Sequence, residues 1–290
     1  MCMSKRDQKL QQIKDWIASN EDIRAALLTS SLVNPLAPVD DYSDLDIELV
    51  FENLGSYSSD SSWIGLFGAP MIHYEEGPEA FDGKHSMIMV QYMDGVKVDF
   101  KLYSISQFQQ EAQAEVLPED WDIGYEILLD KDNLTSDISP PTYGISIIKR
   151  PFQDQFNKLV HDFYWDMSYL PKCLARGDIF YLKFMMEHII RVEYFIPMLE
   201  WFIASKHNWE ITTNKYGRLF PKYLSQQEWT DVLQTFAADS MEENYKAARK
   251  MLELFHGYAA TVATDLDFTY ESSKFERLRT YLNQAKQEYS

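Results

Sequence analysis

Apolar positions recur at near-helical spacing from the start of the chain: Leu10, Ile13, Trp16, Ile17 and Ile23 predict an amphipathic helix over about residues 5–26. Ala25-Ala26-Leu27-Leu28 are contiguous and read as a first strand. Small polar residues and a proline follow, Thr29-Ser30-Ser31-Leu32-Val33-Asn34-Pro35, a pattern for a turn or a helix start. After a second polar turn at 40–44, Leu45-Asp46-Ile47-Glu48-Leu49-Val50-Phe51 alternates as a strand with a carboxylate facing out at its beginning. Residues 87–91 and 96–102 flank Met93-Asp94-Gly95, and Asp-Gly between two strand-like runs predicts a hairpin. Its second arm sets Lys97, Asp99 and Lys101 on one face. Residues 127–132 predict one more short strand.

The pattern changes near Ser139-Pro140-Pro141. From Gln153 onward it is helical, with aromatic-rich stretches at 156–169, 179–206, 226–238 and 241–264. The expected architecture is α+β: residues 1–140 form a mixed β-sheet flanked by helices, and residues 141–290 form an all-helical domain. Length allows this, since 290 residues suit two ordinary domains, and a 46% hydrophobic content supplies a sizeable core.

Charge alters the picture more than composition does. With 45 acidic and 27 basic residues the formal net charge is −18, which repels nucleic-acid backbones and anionic membranes and attracts cations. Such a balance speaks against a nucleic-acid or membrane partner and suits a cationic small molecule without demanding one. Two cysteines, Cys2 and Cys173, provide no disulfide framework, and the first residues carry no apolar signal core. A soluble cytoplasmic protein is expected. The six histidines are scattered without metal-ligand spacing, and no Gly-x-Gly-x-x-Gly or Walker-type loop occurs.

The candidate chemistry lies in three aspartates. Asp44 and Asp46 are two apart and point to the same side, and Asp99 on a later strand of the same sheet can lie beside them. Three carboxylates on one face repel one another unless a cation neutralises them, and Mg²⁺, which combines carboxylates with substrate phosphates, suits such a group. Ser30 and Ser31 stand where a strand meets a short helix start, so backbone N–H groups and hydroxyls there could hold phosphate oxygens.

The run Leu28-Thr29-Ser30-Ser31 through Asp44-Leu45-Asp46 resembles the aminoglycoside 6-adenylyltransferase (streptomycin adenylyltransferase) family of polymerase-beta-like nucleotidyltransferases. The likeness continues through Val98-Asp99-Phe100-Lys101-Leu102, Leu128-Leu129-Asp130-Lys131-Asp132 and Ile148-Lys149-Arg150-Pro151. In the helical half it takes in Asp162-Phe163-Tyr164-Trp165, Lys172-Cys173-Leu174-Ala175-Arg176 and Trp201-Phe202-Ile203-Ala204-Ser205. The resemblance implies an N-terminal nucleotidyltransferase domain and a helical acceptor-binding domain. It also implies Mg²⁺-dependent transfer of AMP from ATP to a hydroxyl of an aminoglycoside such as streptomycin. Asp44, Asp46 and Asp99 match the metal-binding and catalytic positions, and Ser31 matches the serine of a Gly-Ser phosphate loop. Asp162 matches a glutamate position of the cleft, a second catalytic candidate. Lys215 is a candidate for neutralising the triphosphate. Two departures stand out: Ser30-Ser31-Leu32 replaces Gly-Ser-Arg, and Phe-Lys follows Asp99 where Leu-Thr is typical. They leave open a nucleotidyltransferase with another small acceptor, or a non-catalytic relative that binds a cationic metabolite or a protein partner.

Overall fold

The computed structural model of the protein describes residues 3–289. Two compact units divide between Ser146 and Ile147.

The first unit is built on a six-stranded sheet in the order β3-β4-β5-β2-β1-β6. Its strands are β1 (Ile23–Thr29), β2 (Leu45–Phe51), β3 (Pro70–Glu76), β4 (Ser86–Tyr92), β5 (Lys97–Ser104) and β6 (Tyr125–Asp130). Only β2 and β5 run parallel; every other neighbouring pair is antiparallel. The mixed sheet with flanking helices, followed by a helical region, is the expected α+β fold.

Alternation along the strands divides the sheet into two unlike faces. On one face Leu45, Ile47, Leu49 and Phe51 of β2 and Val98, Phe100 and Leu102 of β5 join a continuous core. The helix α1 (Lys5–Ser19) covers it with Ile13 and Ile17, and a 3₁₀ segment over Ser61–Phe67 adds Trp63 and Phe67. On the other face only the far end is apolar. There Val50 and Tyr103 pack on Phe108 of α3 (Ile105–Ala112) and on Trp121 of α4 (Glu119–Ile123). The near end of that face carries charges.

The first helix is shorter than its periodicity suggested. It stops at Ser19 because the amide of Asn20 caps it on the Trp16 carbonyl and the Asn20 side chain accepts from the amide of Asp22, closing a turn. Ile23 therefore belongs to β1 and not to the helix. The edge strand β3 had no counterpart in the sequence pattern. It is exposed from Pro70 to Glu75 on both faces, so no apolar–polar alternation marks it.

The second unit is helical: α5 (Gln153–Met167), α6 (Leu170–Arg176), α7 (Ile179–Lys183), α8 (Ile196–Ser205), α9 (Phe220–Tyr223), α10 (Gln226–Leu233), α11 (Met241–Leu266) and α12 (Ser273–Tyr289). A run of wider π turns over Phe184–Phe195 joins α7 to α8. The core is built on α11, whose Phe255 stacks on Phe163 of α5 with ring centroids 3.5 Å apart. The α10 helix ends at Leu233, earlier than expected, because Thr235 folds back to Val232 and serves Arg191, a buried cation paired with Glu187. Among the described residues no helix is long and apolar enough to cross a membrane.

Candidate functional site

The parallel pairing of β2 and β5 sets their residues level with one another: Asp46 with Asp99, Glu48 with Lys101, and Val50 with Tyr103. Side chains two apart along each strand share a face, so these pairs form successive rungs. One rung earlier stand Asp44, just ahead of β2, and Lys97, the first residue of β5. From the strand starts inward the face therefore reads as lysine with carboxylate, two carboxylates, a buried ion pair, and finally apolar core.

At the outer rung Lys97 Nζ donates to Asp44 Oδ2 at 3.1 Å and to Asp99 Oδ2 at 2.6 Å. Burial opposes the Lys97 charge, but hydrogen bonds and charge from Asp99 and Asp44 outweigh it and raise the ammonium pKa. Asp46 lies below, largely covered. Its burial, reinforced by the charge of Asp99 and only partly offset by Lys97, pushes the Asp46 carboxyl up to about 7.

The next rung is buried. Lys101 Nζ lies 3.3 Å from Glu48 Oε1 and also donates to Asp120 of α4. Trp121 Nε1 donates to Glu48 Oε2 at 2.6 Å. Burial raises the Glu48 pKa, with Lys101 and the indole working the other way; burial likewise opposes the Lys101 charge, which Glu48 and Asp120 hold in place. The lysine that departs from the family pattern is thus a satisfied buried cation, anchoring α4 beneath the carboxylates. Sequence reasoning placed Lys97 and Lys101 on the Asp99 face but did not single them out, nor Glu48, Asp120 or Trp121. The signal was the alternation Asp44, Asp46, Glu48 against Lys97, Asp99, Lys101.

The loop after β1 flanks this face. Thr29 is level with Asp46 across β1 and β2. Ser30 then turns left-handed at φ 65°, a region open to glycine and strained for serine. Its amide donates to the Gly124 carbonyl at 3.0 Å. Gly124 lies so close that an added Cβ would meet the Val33 carbonyl oxygen at 3.0 Å. Ser31 sits in a single 3₁₀ turn over Ser30–Val33, and not in an α-helix. Leu32, which stands where the family pattern has arginine, packs against the core beside α1.

The two candidates in the helical unit are placed separately. Asp162 is half-buried on α5 and pairs with Lys158 one turn earlier. Lys215 is exposed at the start of a short 3₁₀ turn, its amide bonded to the Asn214 side chain.

The donor set Asp44, Asp46 and Asp99 fits a hard, oxygen-seeking dication in its chemistry: carboxylates on one face, one of them with its charge disfavoured by burial and by the neighbouring Asp99. In the arrangement seen, Lys97 supplies the balancing charge. Among the described residues no three His, Cys, Asp or Glu side chains converge as a metal cage. The three carboxylates lie on one face, with the Lys97 ammonium bridging Asp44 and Asp99.

A model of the family "Streptomycin adenylyltransferase" matches residues 3–285. Aminoglycoside 6-adenylyltransferase of Campylobacter jejuni is 26% identical over 280 residues, covering 96% of this chain and 94% of that protein. The protein of the same name from Bacillus subtilis is 27% identical over 260 residues, covering 88% and 89%. Among solved structures, an aminoglycoside 6-adenyltransferase from Bacillus subtilis aligns over 99% of both chains with 22% identity and a TM-score of 0.46.

Proposed function

The chain belongs to the streptomycin adenylyltransferase family, and from that premise we propose that it transfers AMP from ATP to a hydroxyl of an aminoglycoside, streptomycin being the first acceptor to try. The observation that carries this reading is the pairing of Asp46 with Asp99 on adjacent parallel strands, with Asp44 one rung away and the Ser30 turn alongside.

In this reading Asp44, Asp46 and Asp99 would hold Mg²⁺. When bound, the ion neutralises phosphate charge and aligns an in-line displacement. The protein's own residues supply the rest. The hydroxyls of Ser30 and Ser31 and the Ser31 amide receive triphosphate oxygens, while Glu48, Lys101, Asp120 and Trp121 hold the floor of the site rigid. The acceptor oxygen attacks the α-phosphorus, the bond to the β-phosphate oxygen breaks, and pyrophosphate leaves. The hydroxyl proton passes to a nearby carboxylate. Asp162 is assigned to the acceptor on the family likeness, and Lys215 to the triphosphate on its charge alone. The net charge of −18 suits an acceptor that is a polycation.

The test is pyrophosphate release from Mg²⁺, ATP and streptomycin against a no-acceptor control. Acceptor-dependent release that disappears in Asp46→Asn supports the assignment. Release that survives in that variant overturns the site, and release with another aminoglycoside alone changes the acceptor and keeps the chemistry.

A further inference from the structure

Lys97 does something that three carboxylates awaiting a dication do not require: it ties two of them together. Its ammonium lies within hydrogen-bond distance of both Asp44 and Asp99. It begins β5, so its stem is fixed by the strand pairing with β2 and β4. About a third of its side chain is exposed, which leaves the head group a wet direction in which to move. Asp44 is 43% exposed and Asp99 12%, so the contact with Asp99 is the sheltered one.

We propose that Lys97 is a built-in counter-ion that competes with divalent metal for Asp44 and Asp99 and makes metal binding depend on nucleotide. The inference rests on the reading of these aspartates as metal-binding residues. A metal entering alone must displace the ammonium and leave it without a carboxylate partner. A metal entering with ATP arrives with triphosphate oxygens, which give the displaced ammonium a new anionic partner. Metal and nucleotide then bind cooperatively, and by linkage each strengthens the other to the same degree. The arrangement balances the carboxylate charge while the site awaits substrate, and it disfavours a bare metal ion. Lys97 is a positioning residue in this scheme.

The experiment follows Mn²⁺ binding by electron paramagnetic resonance, with and without α,β-methylene-ATP, which binds without being transferred. In the wild type, the analogue should tighten Mn²⁺ binding. In Lys97→Met, Mn²⁺ alone should bind more tightly, by up to roughly fivefold, as expected for release of one partly exposed ion pair. The effect of the analogue should shrink by a similar factor, and Lys97→Arg, which keeps the charge, should behave as the wild type does. Because the Met variant leaves three carboxylates without their cation, its melting temperature is measured in parallel; Mn²⁺ should raise it by more than it raises that of the wild type. Equal or weaker Mn²⁺ affinity in folded Lys97→Met overturns the counter-ion role while leaving the metal assignment intact. Mn²⁺ affinity unchanged in Asp46→Asn, or no Mn²⁺ binding in any variant, overturns the metal assignment and the inference with it.

Discussion

Glu48 and Lys101 face each other across the parallel pair of the sheet, 3.3 Å apart, the carboxylate buried and the lysine mostly so, with the Trp121 indole closing the remaining Glu48 oxygen. A buried pair of this kind gains little over an apolar substitute but is costly to break on one side, because the surviving charge has no solvent. Lys101→Met should lower unfolding stability by about 3 kcal/mol or more. The double variant Glu48→Gln with Lys101→Met should recover part of that loss, which urea unfolding of the two proteins will read directly. A single variant as stable as the wild type overturns the assignment of the pair as a structural anchor.

Asp46 connects stability to pH. Its folded pKa, about 7, lies above its ordinary value of 3.8, so the folded chain holds that proton more tightly than the unfolded chain does. The stabilisation this confers is complete below about pH 4 and is lost as the pH rises toward 7. Asp46→Asn removes the penalty. It should be the more stable protein at pH 8, by up to roughly 4 kcal/mol, and should match the wild type near pH 4. Melting curves across that range, without metal, decide the point.

The same proton must leave before Asp46 can serve as a ligand. Mn²⁺ affinity of the wild type should therefore climb with pH, about tenfold per unit below pH 7, and level off above it. A flat profile between pH 5.5 and 7 removes Asp46 from the ligand set.

Ser30 adopts a backbone angle that glycine tolerates without strain. Ser30→Gly relieves roughly 1–2 kcal/mol of left-handed strain and loses part of that to the greater freedom of the unfolded chain. Unfolding stability should rise by about 0.5–1 kcal/mol, and ATP affinity should hold or improve. Leu32→Arg trades differently: it exchanges apolar packing beside α1 for a charge, so stability should fall by about 1 kcal/mol or more. Its ATP affinity should rise, which calorimetric titration measures alongside.

Much of this was legible from the residues. Alternation at 45–51 matches the bounds of β2, and Asp94-Gly95 marked the hairpin between β4 and β5, two strands whose alternating burial prints a period of two. The nearness of Asp46 and Asp99 followed only as an allowance, since nothing local says that β5 lies beside β2 and runs the same way. The role of Lys101 was illegible for the same reason. Its partners are 53 and 19 residues distant, and what looked like a departure in a motif is a charge matched by Glu48 and Asp120. The edge strand β3 left no trace, since a strand wet on both faces has no period to print.

The parallel alignment of β2 and β5 also sets a timetable for synthesis. As the chain emerges, β2 can pair with β1, which has already been made, but its other edge stays open until β3 and β4 have been made and β5 follows. Glu48 waits 53 residues for its lysine, and Trp121 comes later still. Through that interval the growing strand carries carboxylates on one face, a row of like charge that discourages a second nascent strand from docking there. Asp46 and Glu48 thus also guard the half-made sheet.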